Sequence, residues 1–125
     1  MKYILFVAMG GATGSVSRYL LANWIHSLWE GKVPVGTLLV NVSGSFVIGV
    51  LYVILVERQH FHADWRSVLM VGFLGGFTTF STFSLETITL FEAGHFVHAL
   101  AYMLGSAILC VAMAGLAIQL TRALV

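Results

Sequence analysis

Charge, cysteine and catalytic signatures are what this chain has least of. Only 9% of its 125 residues are Asp, Glu, Lys or Arg, against 59% hydrophobic. A soluble domain carries about 25% charged residues, so a water-exposed globule is excluded. The mean hydropathy of +0.97 points instead to an integral membrane protein. A formal net charge of +1 leaves no electrostatic footprint for nucleic acid. The single cysteine, Cys110, can form neither an intrachain disulfide nor a CxxC metal or redox site. There is no GxSxG elbow, no HExxH helix and no Walker loop, so nothing marks an enzyme. The histidines at 26, 60, 62, 95 and 98 fall at or near segment ends, which argues against a haem or metal centre. No internal repeat relates the two halves.

Apolar length is abundant. A spanning helix needs roughly 20 apolar residues, and four segments qualify, at about 3–29, 34–56, 65–91 and 96–124. Little chain is left for loops, so residues 1–125 read as one all-α membrane domain of four transmembrane helices. The first segment is too long for a signal peptide and holds Arg18. Trp24, Trp29 and Trp65 sit near segment ends as interface anchors. Lys2, Arg58, Arg66 and Arg122 fall on the side of both termini and Lys32 on the other, a bias towards cytoplasmic termini that Arg18 offsets. Four short helices enclose too little interior for a hydrated path, which implies an oligomer. Gly10 and Gly14 form a GxxxG pair that lets backbones approach, either within one subunit or between two.

Polar residues at membrane depth are costly and mark function or close packing. The first segment carries Thr13, Ser15, Ser17 and Arg18, the last placed either to snorkel or to attract anions into a vestibule. Thr37, Asn41 and Ser45 are spaced by four on one face of the second. Asn41 offers two amide protons and an acceptor, so it suits an ion or a bridge between helices. Tyr102, Ser106 and Cys110 make a similar stripe on the fourth.

The third segment is the richest. Gly72, Gly75 and Gly76 precede Phe77-Thr78-Thr79-Phe80-Ser81-Thr82-Phe83-Ser84 and Glu86. So many helix-weakening residues in a spanning helix predict a break, which membrane proteins tolerate where it faces protein or an ion path. Phe80 and Phe83 share a face. Such a pair usually packs in a core, but its electropositive ring edges also suit an anion. Thr79, Thr82 and Glu86 form an adjacent stripe. Glu86 fits a proton carrier, a cation ligand or a hydrogen-bonded structural acid. Together these residues describe a small oligomeric channel or transporter.

Three motifs carry a specific resemblance. The run Gly10-Gly11-Ala12-Thr13-Gly14-Ser15-Val16-Ser17-Arg18-Tyr19 resembles the GGxxGAxxRY signature of the Fluc (CrcB-like) fluoride channels, with Ser15 in place of the usual Ala. The run from Gly36 to Phe46, completed by Gly49, resembles their GTLxVNxxGxFxxG motif. Residues 72–83 resemble their GFxGGxTTFSTF motif. The resemblance spans three successive segments and most of the chain.

It implies an antiparallel, dual-topology homodimer in the bacterial inner membrane, against the orientation bias read from the charges. It further implies two fluoride pathways per dimer and passive export of cytoplasmic fluoride. A structural sodium ion is implied at the centre, held by the backbone carbonyls of Gly75 and Thr78. By the same carry-over Asn41, Phe80, Phe83, Ser81, Thr82, Glu86, Tyr102 and Ser106 lie along the fluoride pathway, and Arg18 shapes the vestibule. Two rivals remain. One is a small dual-topology, proton-coupled exporter of cationic compounds, which relies on an embedded acid in the first helix, where this chain has none. The other is a noncatalytic subunit of a larger membrane assembly.

Overall fold

The computed structural model describes residues 1–125. Four helical spans, Lys2–Leu28, Val35–Glu57, Arg66–Glu92 and Phe96–Leu124, are each long and apolar enough to cross a membrane. The protein is an all-helical, multi-pass membrane protein without strands. Helix α1 is Lys2–Leu28 and α2 is Val35–Leu51, with the single proline, Pro34, at its N-cap. The second span continues as a π-helical stretch, Tyr52–Glu57. The third span opens as a second π-helical stretch, Arg66–Leu74, and runs on as Gly75–Phe77; the two together are α3. Helix α4 is Phe80–Glu92 and α5 is Phe96–Leu124.

The π-helical stretches are absent from the sequence reading, which has no signal for i→i+5 bonding. The turn from α4 to α5, by contrast, follows from one residue. Gly94 adopts φ +83°, and the N–H groups of Gly94 and His95 donate to the Phe91 and Leu90 carbonyls at 3.0 Å each. That is the Schellman closure, for which glycine is favoured because it has no Cβ.

The two parts of the third span have different neighbours. Helix α3 packs against α1, whereas α4 packs against α5, and α2 lies against both α1 and α5. The seam between α1 and α3 is made of backbone. A methyl group placed on Gly10 would lie 2.8 Å from the Phe73 nitrogen, and one on Gly14 would lie 2.8 Å from the Phe73 carbonyl carbon. Carbon contacts prefer about 3.5–4.0 Å, so only glycine fits. The GxxxG pair is therefore spent within the subunit.

Two small cores follow from this arrangement. Val40, Leu74 and Phe77 are buried on the α3 side, and Leu90, Ala99 and Tyr102 on the α4 side. Only 19 of 125 residues are buried, so most of the chain's surface must meet lipid or another protein. Ion pairs fasten the end that carries both termini. Arg122 grips the Glu57 carboxylate, its Nε lying 3.0 Å from Oε2, and Lys2 lies 3.5 Å from Asp64.

Candidate functional site

The site grows from the gap between α3 and α4. Thr78 (φ −83°, ψ 155°) and Thr79 (φ −148°, ψ 120°) are extended, so the helix stops at Phe77 and restarts at Phe80. Backbone groups freed at such a gap need partners at membrane depth. Asn41 supplies two of them. Its Nδ2 donates to the Thr79 carbonyl at 2.9 Å, and the Thr79 N–H donates to its Oδ1 at 2.8 Å. The amide thus mimics a neighbouring peptide and keeps one N–H to spare.

Other residues complete the joint. The Thr79 hydroxyl oxygen accepts from the Thr82 N–H at 3.2 Å, which makes Thr79 the N-cap of α4. Arg18 Nε donates to the Gly76 carbonyl at 3.1 Å, so this arginine clamps α1 to the end of α3. The Thr78 hydroxyl turns back to the Leu74 carbonyl at 2.8 Å, while the Thr78 carbonyl accepts no hydrogen bond. The sequence reading left Asn41 open between bridging helices and facing an ion. The structure shows the bridge, with one donor left over.

Glu86 forms a second knot one turn beyond. Its carboxylate accepts from Thr37 at 3.1 Å and from the Tyr102 hydroxyl at 3.0 Å, tying α2 and α5 to α4. Both oxygens are occupied within the chain.

Two cavities flank the joint. The larger is a groove of 460 Å³ open along one side, with Asn41, Gly75, Thr78, Phe80, Phe83 and Ser106 in its wall. Phe80 stands 79% exposed, and its ring centroid lies 5.4 Å from that of Phe83 at an angle of 49°. Phe83 in turn lies 5.2 Å from the Tyr102 ring. The Ser106 hydroxyl is buried and has no hydrogen-bond partner. The smaller cavity, 160 Å³, has Arg18, His26, Thr37, Thr82 and Glu86 among its lining residues. Thr79 lines both.

The candidate residues therefore do not form one track in the single chain. Asn41, Gly75, Thr78, Phe80, Phe83 and Ser106 share the groove, whereas Arg18, Thr82 and Glu86 share the smaller cavity. Tyr102 lines neither and is buried, its hydroxyl on Glu86. Ser81 is exposed, 3.4 Å from the Thr79 hydroxyl. The sequence reading gave Thr79 no site role, although a threonine immediately before Phe80 at a predicted break is a recognisable cap signal. It also missed Gly76, whose role lies in its carbonyl and leaves no trace in residue type.

A family described as CrcB-like protein, Camphor Resistance (CrcB), matches residues 5–118. A protein of Hahella chejuensis named "Fluoride-specific ion channel FluC" is 47% identical over 98% of this chain and 96% of its own length. One of Saccharophagus degradans with the same name is 46% identical, over 97% of this chain and 90% of that protein. One of Solibacter usitatus, also so named, is 51% identical over 85% of this chain and 86% of that protein.

Proposed function

This chain belongs to the CrcB-like family, and from that premise we propose that it is a fluoride-selective ion channel that lets cytoplasmic fluoride leave passively. It is a conductor and not an enzyme. The observation that carries the proposal is the groove itself. In a chain nearly half identical to proteins named as fluoride channels, the interrupted span, the Phe80–Phe83 pair and Ser106, whose buried hydroxyl is unpaired, border one groove.

Fluoride holds its water tightly, so a pathway must offer replacement donors at each step. The spare Asn41 amide proton and the Ser106 hydroxyl are two such donors, and the ring edges of Phe80 and Phe83 present positive potential. The Glu86 carboxylate orients Thr37 and Tyr102 rather than standing free. That favours a positioning role over the proton carrier an exporter would need. Arg18, clamped through Nε, retains its other guanidinium donors toward the smaller cavity and so shapes the potential at a vestibule.

The groove lies open on the surface of one chain and needs a cover. An antiparallel, dual-topology homodimer in the bacterial inner membrane supplies it, giving two pathways built from both subunits. A structural sodium ion fits the residues at the joint. The Thr78 carbonyl is unpaired, and nothing outside its own helix lies within 4 Å of where a side chain would begin at Gly75. Carbonyls of these two residues from each subunit would hold it. The ion would supply fixed positive charge beside the anion path and satisfy the freed backbone.

Fluoride efflux from liposomes holding only this protein, without a proton gradient and with chloride as the control, tests the proposal. Rapid fluoride release with negligible chloride release is expected. Folded protein that releases neither ion would overturn it.

A further inference from the structure

The two ends of the bundle differ in charge. At the end that carries both termini, the cations Lys2, Arg58, Arg66 and Arg122 outnumber the carboxylates of Glu57 and Asp64, whereas at the other Glu30 and Glu92 outnumber Lys32. Both carboxylates of the basic end are engaged, Glu57 by Arg122, and Asp64 with Lys2 at 3.5 Å and His62 at 3.3 Å. Arg58 and Arg66 join no ion pair and are exposed.

The spans fix the depth of these two arginines. Arg58 follows Glu57, the last residue of the second span, and Arg66 is the first of the third. The second span has 23 residues, so it is at most about 34 Å long, a little more than the roughly 30 Å hydrocarbon core. Both arginines therefore stand in the layer that holds the headgroup phosphates. The chain between them is folded back on the span ends. Gln59 takes a left-handed turn at φ +53°, and the His60 N–H donates to the Ile54 carbonyl at 3.1 Å. The Trp65 and Arg66 N–H groups donate to the His62 and Ala63 carbonyls at 3.1 Å each. Phe61 and Trp65, between the two arginines, are left 59% and 49% exposed.

We propose that residues 58–66 form a docking surface for anionic phospholipid. The guanidinium forks of Arg58 and Arg66 suit bidentate pairing with lipid phosphates, and the rings of Phe61 and Trp65 seat at the interface beside them. A soluble anion would satisfy the arginines but leave both rings in water, so the partner is the lipid surface. Lipids of net negative charge are favoured, because no side-chain carboxylate at this end remains to balance the two arginines. Lipid binding here is independent of what the groove conducts.

Purified protein in detergent, titrated with phosphatidylglycerol or with phosphatidylcholine of the same acyl chains, tests the proposal. The readout is the lipid concentration that gives half of the rise in thermal midpoint. A basic residue at a membrane surface is worth about fivefold in binding. Wild type should favour phosphatidylglycerol, and Arg58→Gln combined with Arg66→Gln should cut that preference about 25-fold. Lys32→Gln, at the other end, should leave it unchanged. Phe61→Ser should weaken both lipids alike and keep their ratio. Glycerol phosphate, a headgroup without chains, should not compete at equal concentration.

An unchanged preference in the double variant would overturn the proposal, as would an equal loss in Lys32→Gln or competition by glycerol phosphate. A dimer that separates in the double variant while its lipid preference persists would assign the arginines to a second copy instead. Wild type alone also decides the matter. In about 1 M salt, where the screening length is about 3 Å, its preference should vanish, and a preference that survives there does not come from these charges.

Discussion

One face of the third span is sealed and the other is left open, and the contrast lies in what its glycines and their neighbours meet. On the α1 side, a methyl on Gly76 would lie 2.6 Å from the Gly11 carbonyl oxygen, and Gly10 and Gly14 press on the Phe73 backbone. On the groove side, a methyl on Gly75 would meet nothing outside its own helix within 4 Å, and one on Gly105 of α5 would likewise enter open space. The same residue type brings backbones into contact at the seam and withholds a side chain where space is kept. Joined to a seam that cannot shift without clashing, the interruption at Thr78–Thr79 is held in register by Asn41 and Arg18. The groove then has one fixed wall, against which a conducting path can be built.

The largest effect should come from breaking the sealed side. Gly14→Val forces a branched side chain into the Phe73 backbone and is expected to cost about 3 kcal/mol, seen as a lower thermal midpoint in detergent. Retained stability would mean that the seam is loose and the contrast false.

Next comes the joint. Asn41→Leu removes both bonds to Thr79 and leaves a part-buried N–H and C=O unpaired, a loss of about 2 kcal/mol. Hydrogen exchange at Thr79 and Phe80 should rise with it. Protection equal to wild type would show that something other than Asn41 holds the gap.

Substitutions on the open side should act on flow and spare the fold. Phe80→Ile or Phe83→Ile is expected to lower fluoride efflux about tenfold, the scale of a ring-edge contact, with an unchanged thermal midpoint for the exposed Phe80 and a loss of about 1 kcal/mol for Phe83, whose ring packs on Tyr102. Undiminished efflux would remove the ring edges from the pathway. Thr78→Ala should cost under about 1 kcal/mol, because its hydroxyl only turns back on Leu74. Sodium stabilisation of the protein should survive it, since the ligand assigned to Thr78 is its carbonyl; loss of that response would transfer the role to the hydroxyl.

Gly105→Ala should be the mildest, within about 0.5 kcal/mol, because it enters space that one chain leaves empty. A large loss of dimer at equal monomer stability would sharpen the contrast by placing the partner subunit there.

Much of this was legible from residue type. Four apolar runs gave four helices, since helix and closed barrel are the only backbones that satisfy themselves in lipid. The glycines and hydroxyls of the third run marked where it would fail. The spacing of Thr37 and Asn41 placed both on the face that meets α4. Other features carried no such mark. The π-helical ends have no composition of their own. Nothing in the sequence distinguished a GxxxG pair used inside the subunit from one used between subunits, because close approach looks alike in both.

The sequence by itself determined that this is a four-span membrane protein with a weakened third helix and the motifs of one family. These follow from apolar length, glycine content and local order along the chain. Only the tertiary structure decided how the polar residues are shared out. Asn41, Phe80, Phe83 and Ser106 went to an open groove, Arg18, Thr82 and Glu86 to a smaller cavity, and the Tyr102 hydroxyl to a carboxylate. Spacing puts residues on a face, but which face another helix covers depends on packing between segments far apart in the chain.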